Sequence, residues 1–284
     1  MQHIEFFNRD HFYHHFYRRK ARASLSTFID FFWETNFDAL WTQYPGGFTD
    51  ALFPDVGYTY LINLGTPFKM QLDGQLFDVK GDVFLPRYKN ILTIHTAGNK
   101  IFGIKFKVSP VIFIKKVNFY EYRGGLFPLA YLIDKAITDK MKWADSFDKR
   151  VAILSAYYDG LIKQYKGALR YVDIVTDVLQ QYSNSHCTNT VAQYAAMHGI
   201  STRTLQRYFE VATSISSKQA LQITRIRKAI TALVQSPSTF NAADFGYFDY
   251  SHFYKHLSHF IKNHKLANMQ SPLQLLQGSG IINY

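Results

Sequence analysis

The chain has 284 residues, 47% of them hydrophobic and one of them cysteine, and carries 32 Lys and Arg against 21 Asp and Glu, a formal charge of +11. That length and apolar content are enough for a core of about two domains without staples, and they exclude fibrous and disordered classes. A lone Cys187 excludes an internal disulfide framework and fits a reducing cytoplasm, and no apolar run approaches the roughly 18 residues a spanning helix needs. The start, Met1-Gln-His-Ile-Glu-Phe-Phe, has neither the basic residues nor the apolar stretch of a signal peptide. The basic excess fits a polyanionic partner, and it also fits an ordinary soluble protein. It is not confined to one end: residues 1–167 hold 22 basic and 16 acidic side chains, and residues 168–284 hold 10 and 5.

Near the N-terminus, His11, His14 and His15 stand among Phe12, Tyr13, Phe16 and Tyr17, ahead of Arg18-Arg19-Lys20. They read as an aromatic-rich strand or arm rather than a metal site, and this basic run, like Lys115-Lys116, reads as exposed charge. Tyr58, Tyr60, Ile62 and Leu64 alternate with Thr59, Leu61 and Asn63, the two-residue period of a half-buried strand. Asp73-Gly74 tolerates the positive φ angles of a type I′ turn, so residues 68–72 and 75–79 are expected to form a hairpin. Its register pairs Met70 with Phe77 and Phe68 with Val79. Ile104, Phe106 and Val108 alternate with Lys105 and Lys107 in a further strand. The N-terminal region is therefore expected to be an antiparallel, barrel-like β-rich domain. Tyr58, Tyr60 and Trp33 read as its core, with an effector pocket as the alternative.

After about residue 125 the period becomes helical. Val151, Leu154, Tyr158, Leu161, Ile162 and Tyr165 form one apolar stripe, and Lys166-Gly167 makes a helix stop that divides 1–167 from 168–284. Tyr171, Ile174, Val175, Val178, Leu179 and Tyr182 mark the next amphipathic helix, followed by a polar turn from Ser183 to Asn189. Cys187 in that turn reads as an incidental thiol. Thr190 and Gln193 have the spacing of a capping box. The helix they start, Val191 to Met197, carries Ala192, Ala195 and Ala196, small enough for a second helix to cross closely. Gly199 can end it in the left-handed conformation, and Ser201 caps the next helix, through Arg203, Leu205, Gln206, Arg207 and Phe209. Helix, glycine turn, serine cap and second helix make the layout of a helix-turn-helix. Leu205 and Phe209 would face its core. Arg203, Gln206 and Arg207 would lie opposite, where Arg suits guanine O6 and N7, and Gln suits adenine N6 and N7.

At this point the sequence resembles the AraC/XylS family of transcriptional regulators. The matching segment is Thr190-Val-Ala-Gln-Tyr-Ala-Ala-Met-His-Gly-Ile-Ser-Thr-Arg-Thr-Leu-Gln-Arg-Tyr-Phe209. The likeness continues through Ser216-Ser-Lys-Gln219 and Arg225-Ile-Arg-Lys-Ala229 with Leu233, similar to the family's linker helix, and through Gly246-Tyr-Phe-Asp-Tyr-Ser-His-Phe253. More loosely, Phe32-Trp33, Pro54-Asp-Val-Gly57, Leu61-Ile-Asn-Leu-Gly65 and Gly103-Ile-Lys-Phe106 are similar to a β-rich domain that precedes this module in some bacterial regulators. The resemblance implies an α+β chain of two domains: a sensing or dimerising β-rich part with helices at 1–167, and an all-α part at 168–284. In the latter, two helix-turn-helix units joined by a linker helix would enter successive major-groove faces. It implies base contact from Arg203, Gln206 and Arg207, and from Tyr250, Ser251 and Lys255 in the second unit, with Asp249 as a cap or first-turn residue. Ser201, Thr202 and Thr204 would contact phosphate or close the helix start. Promoter DNA is the implied partner, with RNA polymerase, a small-molecule effector and a second protomer as further ones.

The second unit departs from the family's pattern. Its scaffold helix should begin near Ser238, yet Ser238 and Asn241 stand where apolar residues are expected, and Leu257 replaces the usual aromatic side chain. No Gly-x-Ser-Pro lies near Lys262 to Lys265, and Ser271-Pro272 comes several residues late. His252, His256 and His259 have metal-compatible spacing but no acidic ligand beside them, so no metal or other cofactor is expected. No glycine-rich nucleotide loop, nucleophile elbow or His-Glu-x-x-His occurs, and the chain is not read as an enzyme. Two alternatives stay open: a small-molecule-binding or metal-dependent enzyme on the β-rich part, and an interaction module that has lost DNA binding. The first is disfavoured because His95 is the one histidine between positions 16 and 185.

Overall fold

In a computed structural model of the chain, residues 9–109, 122 and 124–260 are described. Lys115-Lys116, Lys262 to Lys265 and Ser271-Pro272 lie outside them. Helix α1 (Arg9–His14) and strand β1 (Phe16–Lys20) lead into β2 (Ile29–Asn36), helix α2 (Asp38–Gln43) and β3 (Thr49–Leu52). Strands β4 (Tyr58–Asn63), β5 (Phe68–Leu72), β6 (Gln75–Val79), β7 (Val83–Pro86), β8 (Ile91–Ile94), β9 (Lys100–Phe106) and β10 (Phe127–Pro128) follow. They form a six-stranded antiparallel sheet in the order β1-β2-β9-β4-β7-β10 and a four-stranded one in the order β3-β8-β5-β6. The hairpin forms as expected. Asp73 and Gly74 take φ +46° and +95°, and Met70 pairs with Phe77 and Phe68 with Val79.

The two sheets face each other across one apolar core. Trp33, Leu61, Val83, Leu85 and Ile101 of the large sheet meet Leu52, Phe68, Met70, Leu72, Val79 and Ile91 of the small one. The other face of the large sheet is covered as well. Phe32, Tyr58, Tyr60, Ile62, Phe84, Phe102, Ile104 and Phe106 belong to a second core with Met141, Val151, Leu154 and Tyr158. These last come from helices α3 (Lys135–Trp143) and α4 (Phe147–Gln164). This corrects the half-buried reading of β4, in which all six residues are buried. Alternation signals one wet face only when nothing packs on it. A buried ion pair fixes α4 to the sheet: Arg150 donates to both carboxylate oxygens of Glu34, at 3.0 and 3.3 Å.

Helices α5 (Arg170–Asn184), α6 (Val191–Met197), α7 (Thr202–Thr213), α8 (Ser217–Gln235) and α9 (Tyr250–Phe260) complete the described chain. Val172, Val175, Val178, Tyr194, Leu205, Phe209, Ala220 and Ile223 join the same core that covers the sheet. Further along α8, Ile226, Ala229, Ile230 and Leu233 turn to a separate core with Phe240, Tyr247, Phe253 and Leu257. One helix of 19 residues, about 28 Å at 1.5 Å per residue, thus holds two helical units.

Candidate nucleic-acid interface

The first unit is built from local signals that all form. Thr190 accepts from the Gln193 amide while Gln193 accepts from the Thr190 amide, a complete capping box at the start of α6. Tyr194 and Ala195 are buried, whereas Ala192 and Ala196 are exposed, so of the three alanines Ala195 lies in the packed face. Gly199 takes φ +63°, and the Gly199 and Ile200 amides return to the carbonyls of Ala196 and Ala195 at 3.0 Å each. Ser201 then caps α7, its Oγ accepting from the Thr204 amide at 3.1 Å. Leu205 and Phe209 are fully buried.

The opposite face of α7 is polar and open. Ser201, Thr202, Arg203 and Arg207 are exposed, and Thr204 is half-buried with its hydroxyl 3.0 Å from that of Ser201. Among the described residues no carboxylate stands within ion-pair distance of Arg203 or Arg207, and the Arg207 guanidinium lies 5.9 Å from the Tyr208 ring. Gln206 is placed differently. Its Oε1 accepts from the Ser217 amide and hydroxyl at 3.2 and 2.8 Å, and its Nε2 donates to Glu210 at 2.7 Å. The side chain therefore bridges α7 to the start of α8.

The second unit repeats the plan with other materials. Where a scaffold helix was expected from Ser238, the chain makes two short 3-10 turns, Pro237–Thr239 and Ala242–Phe245. Asn241 does not pack there as an apolar residue would; its side chain caps the second turn by accepting from the Ala243 amide at 3.2 Å. Gly246 takes φ +70°, close to that of Gly199, and its amide returns to Ala243. Asp249 caps α9 by accepting from the His252 amide at 2.7 Å. Phe253 and Leu257 are buried, so the leucine fills the place expected for an aromatic side chain. Ser251 and Lys255 are exposed. Tyr250 is 37% exposed, and its hydroxyl donates to the Phe240 carbonyl at 2.7 Å.

His252, His256 and His259 do not converge. His256 Nδ1 is 2.7 Å from the Tyr247 hydroxyl, and burial beside Arg225 lowers its pKa to about 4. Among the described residues no group of three or more His, Cys, Asp or Glu is arranged to hold a metal ion. Cys187 is not a solvated turn residue: it is buried at φ +58°, its thiol faces the Tyr182 carbonyl at 3.4 Å, and burial raises its pKa.

Sequence reading gave no hint that residues 53–56 join the two halves. Phe53 is fully buried in the core of the second unit, against α8 and α9. Arg227 of α8 donates to the Phe53 and Pro54 carbonyls at 3.2 and 3.0 Å and lies 3.5 Å from Asp55. Lys105, 4% exposed, lies 3.3 Å from the same carboxylate and also donates to Val56. Burial alone would raise the Asp55 pKa, but Arg227, Lys105 and Arg87 together hold it well below the carboxylate range. Burial lowers Lys105 to about 8, against the pull of Asp55. Beside this cluster a cavity of 380 Å³ opens between β9 and α5, lined by Asp30, Asp55, Lys105, Lys107, Gln180 and Thr224 among others. It shares Asp30, Asp55, Ser183 and Thr224 with a cavity of 610 Å³ along α8.

A family model described as a helix-turn-helix domain matches residues 194–268. No curated protein sequence matches the chain. Among solved structures, the apo form of a ToxT variant from Vibrio cholerae superposes with a TM-score of 0.47 at 13% identity, covering 81% of this chain and 93% of that one. ToxT bound to an unsaturated fatty acid gives 0.43 at 12%, covering 75% and 88%. The AraC-like transcriptional activator CuxR gives 0.27 at 10%, covering 79% and 90%. Likeness this loose transfers no residue roles.

Proposed function

We propose that the chain, whose residues 194–268 match a helix-turn-helix family model, is a sequence-specific transcriptional regulator of the AraC type that reads promoter DNA. The observation that carries this reading is the open pair Arg203 and Arg207 on a helix whose other face is buried. Two guanidiniums four residues apart lie one above the other on one helix face and suit guanine edges in a major groove. Ser201, Thr202 and Thr204 at the helix start set register on phosphate. Gln206 reads a base only by giving up its bonds to Ser217 and Glu210. In the second unit Ser251 and Lys255 offer polar contacts, and Tyr250 offers its ring, since its hydroxyl is engaged.

In this reading residues 168–284 bind DNA, and residues 1–167 sense or dimerise, with RNA polymerase and a second protomer as partners in the cytoplasm. The adjoining cavities beside Asp55 are the place we assign to an effector, because a molecule there would touch both halves. A thermal-shift panel of small organic acids and neutral metabolites tests that part; no shift across the panel counts against it. The DNA part is tested by fluorescence anisotropy on the region upstream of the protein's own gene and on scrambled DNA, at two salt concentrations. A preference that Arg203→Ala/Arg207→Ala loses supports the reading. Equal binding that vanishes with salt leaves only charge attraction.

A further inference from the structure

We infer that Phe248 reads a thymine C5-methyl group in the major groove that receives α9. This rests on the DNA-binding reading above and adds a specificity-determining residue to it. Phe248 is 91% exposed, the most exposed of the large hydrophobic side chains among the described residues. Lone apolar side chains on surfaces are ordinary. This one is held outward by its neighbours. On its N-terminal side Tyr247 is buried in the core of the second unit, with the Arg225 guanidinium 4.6 Å from its ring. On its C-terminal side Asp249 is committed to capping α9. The Phe248 amide itself donates to His252 Nδ1 at 3.4 Å. Turning the phenyl inward would expel Tyr247 or break the cap, so the ring stays in solvent just ahead of the first turn of α9.

Its position decides what it meets. In a helix-turn-helix the N-terminal end of the recognition helix enters the groove. Ser251 and Lys255 on the first turns supply polar and cationic contacts. The major-groove edges of the four base pairs carry donors, acceptors and a single apolar group, the thymine methyl. A fixed phenyl gains there by removing both apolar surfaces from water.

The test uses the full chain in random-sequence selection, with wild type, Phe248→Ala, Phe248→Leu and Arg203→Ala/Arg207→Ala. Because the ring is exposed, Phe248→Ala should melt with wild type. Wild type should enrich a thymine in the half-site away from the bases whose selection depends on Arg203 and Arg207. Phe248→Ala should lose that thymine alone, and Phe248→Leu should keep it. Replacing this thymine by deoxyuridine removes only the methyl, and should weaken wild type about threefold to tenfold while leaving Phe248→Ala unchanged. The inference is overturned if no thymine responds to deoxyuridine, or if Phe248→Ala responds as wild type does. A pool in which the arginine variant loses selection and Phe248→Ala loses nothing overturns it while the DNA-binding reading stands. If wild type enriches no sequence at all, that reading fails and this inference fails with it.

Discussion

Residues alike in type and spacing stand in different positions on α7. Arg203 and Arg207 face solvent, while the Gln206 amide is spent on Ser217 and Glu210. Gln206→Ala should therefore cost stability, about 1–2 kcal/mol from the orphaned Ser217 amide, read as a lower melting temperature. Arg207→Ala should leave the melting temperature alone and weaken DNA binding. The histidines give a pH dependence. His11 stacks on Phe37 and His95 packs beside the same ring, with centroids at 5.2 and 3.8 Å. Burial lowers His11 to about 4, helped by His15; burial lowers His95 to about 3, against its bond to Asn99. Both are neutral in the fold and take protons near 6.5 once unfolded. Stability from this source is full above about pH 6.5 and is lost as pH falls toward 4, by up to about 1.4 kcal/mol per pH unit per histidine. Thermal melts from pH 7 to 4 should show that slope. Replacing both by Gln should flatten it, leaving the share of His256.

At the scale of elements, the second unit lacks a scaffold helix and borrows a side chain in its place. Phe240 between the two 3-10 turns and Ala242 at the start of the second pack there, and Phe53 from the loop after β3 completes the core against α8 and α9. Phe53→Ala should cost about 3–5 kcal/mol, as for other buried phenylalanines. Hydrogen exchange should quicken over residues 240–260 first and leave α7 protected. The two glycine turns should also differ. Gly199 and Gly246 share a positive φ, but a Cβ on Gly199 meets open space, whereas one on Gly246 comes within 2.9 Å of the Cys187 carbonyl. Gly199→Ala should cost about 1 kcal/mol from backbone strain, and Gly246→Ala clearly more, measured by denaturant melts.

Across the whole molecule, packing does not stop at the expected 167/168 division. Lys166, Gly167 and Ala168 are exposed, yet the core on the helix side of the large sheet runs on through α5 to α8. Tyr58 donates to the Ser214 hydroxyl at 2.9 Å, and the Ser109 amide donates to the Ala212 carbonyl at 2.7 Å. Asp55 is the polar counterpart of this apolar joint, because it answers Lys105 from the sheet and Arg227 from α8 together. Asp55→Asn leaves both cations without their carboxylate and should cost about 3–5 kcal/mol. The loss should appear as a lower melting temperature and faster proteolysis at the joint.

Much of this was legible because it depends on neighbours within a few residues. Asp73-Gly74 specified the hairpin and its register, Thr190 with Gln193 the capping box, and Gly199 with Ser201 the turn between two helices. These signals are local bonds and dihedral preferences, which survive whatever packs around them. Tertiary structure alone decided which faces were covered. β4 and Lys105 carry the pattern of a strand with a wet side, and both are buried, because the second sheet covers Leu61 on that side of β4, Asp55 and Val56 meet Lys105, and helices distant in sequence cover the opposite face. Phe53 and Gln206 look like an ordinary loop residue and an ordinary base reader, until the partners that engage them arrive from far along the chain or from the next helix. Burial is a property of what comes to lie opposite a side chain, and periodicity within one segment carries no record of that.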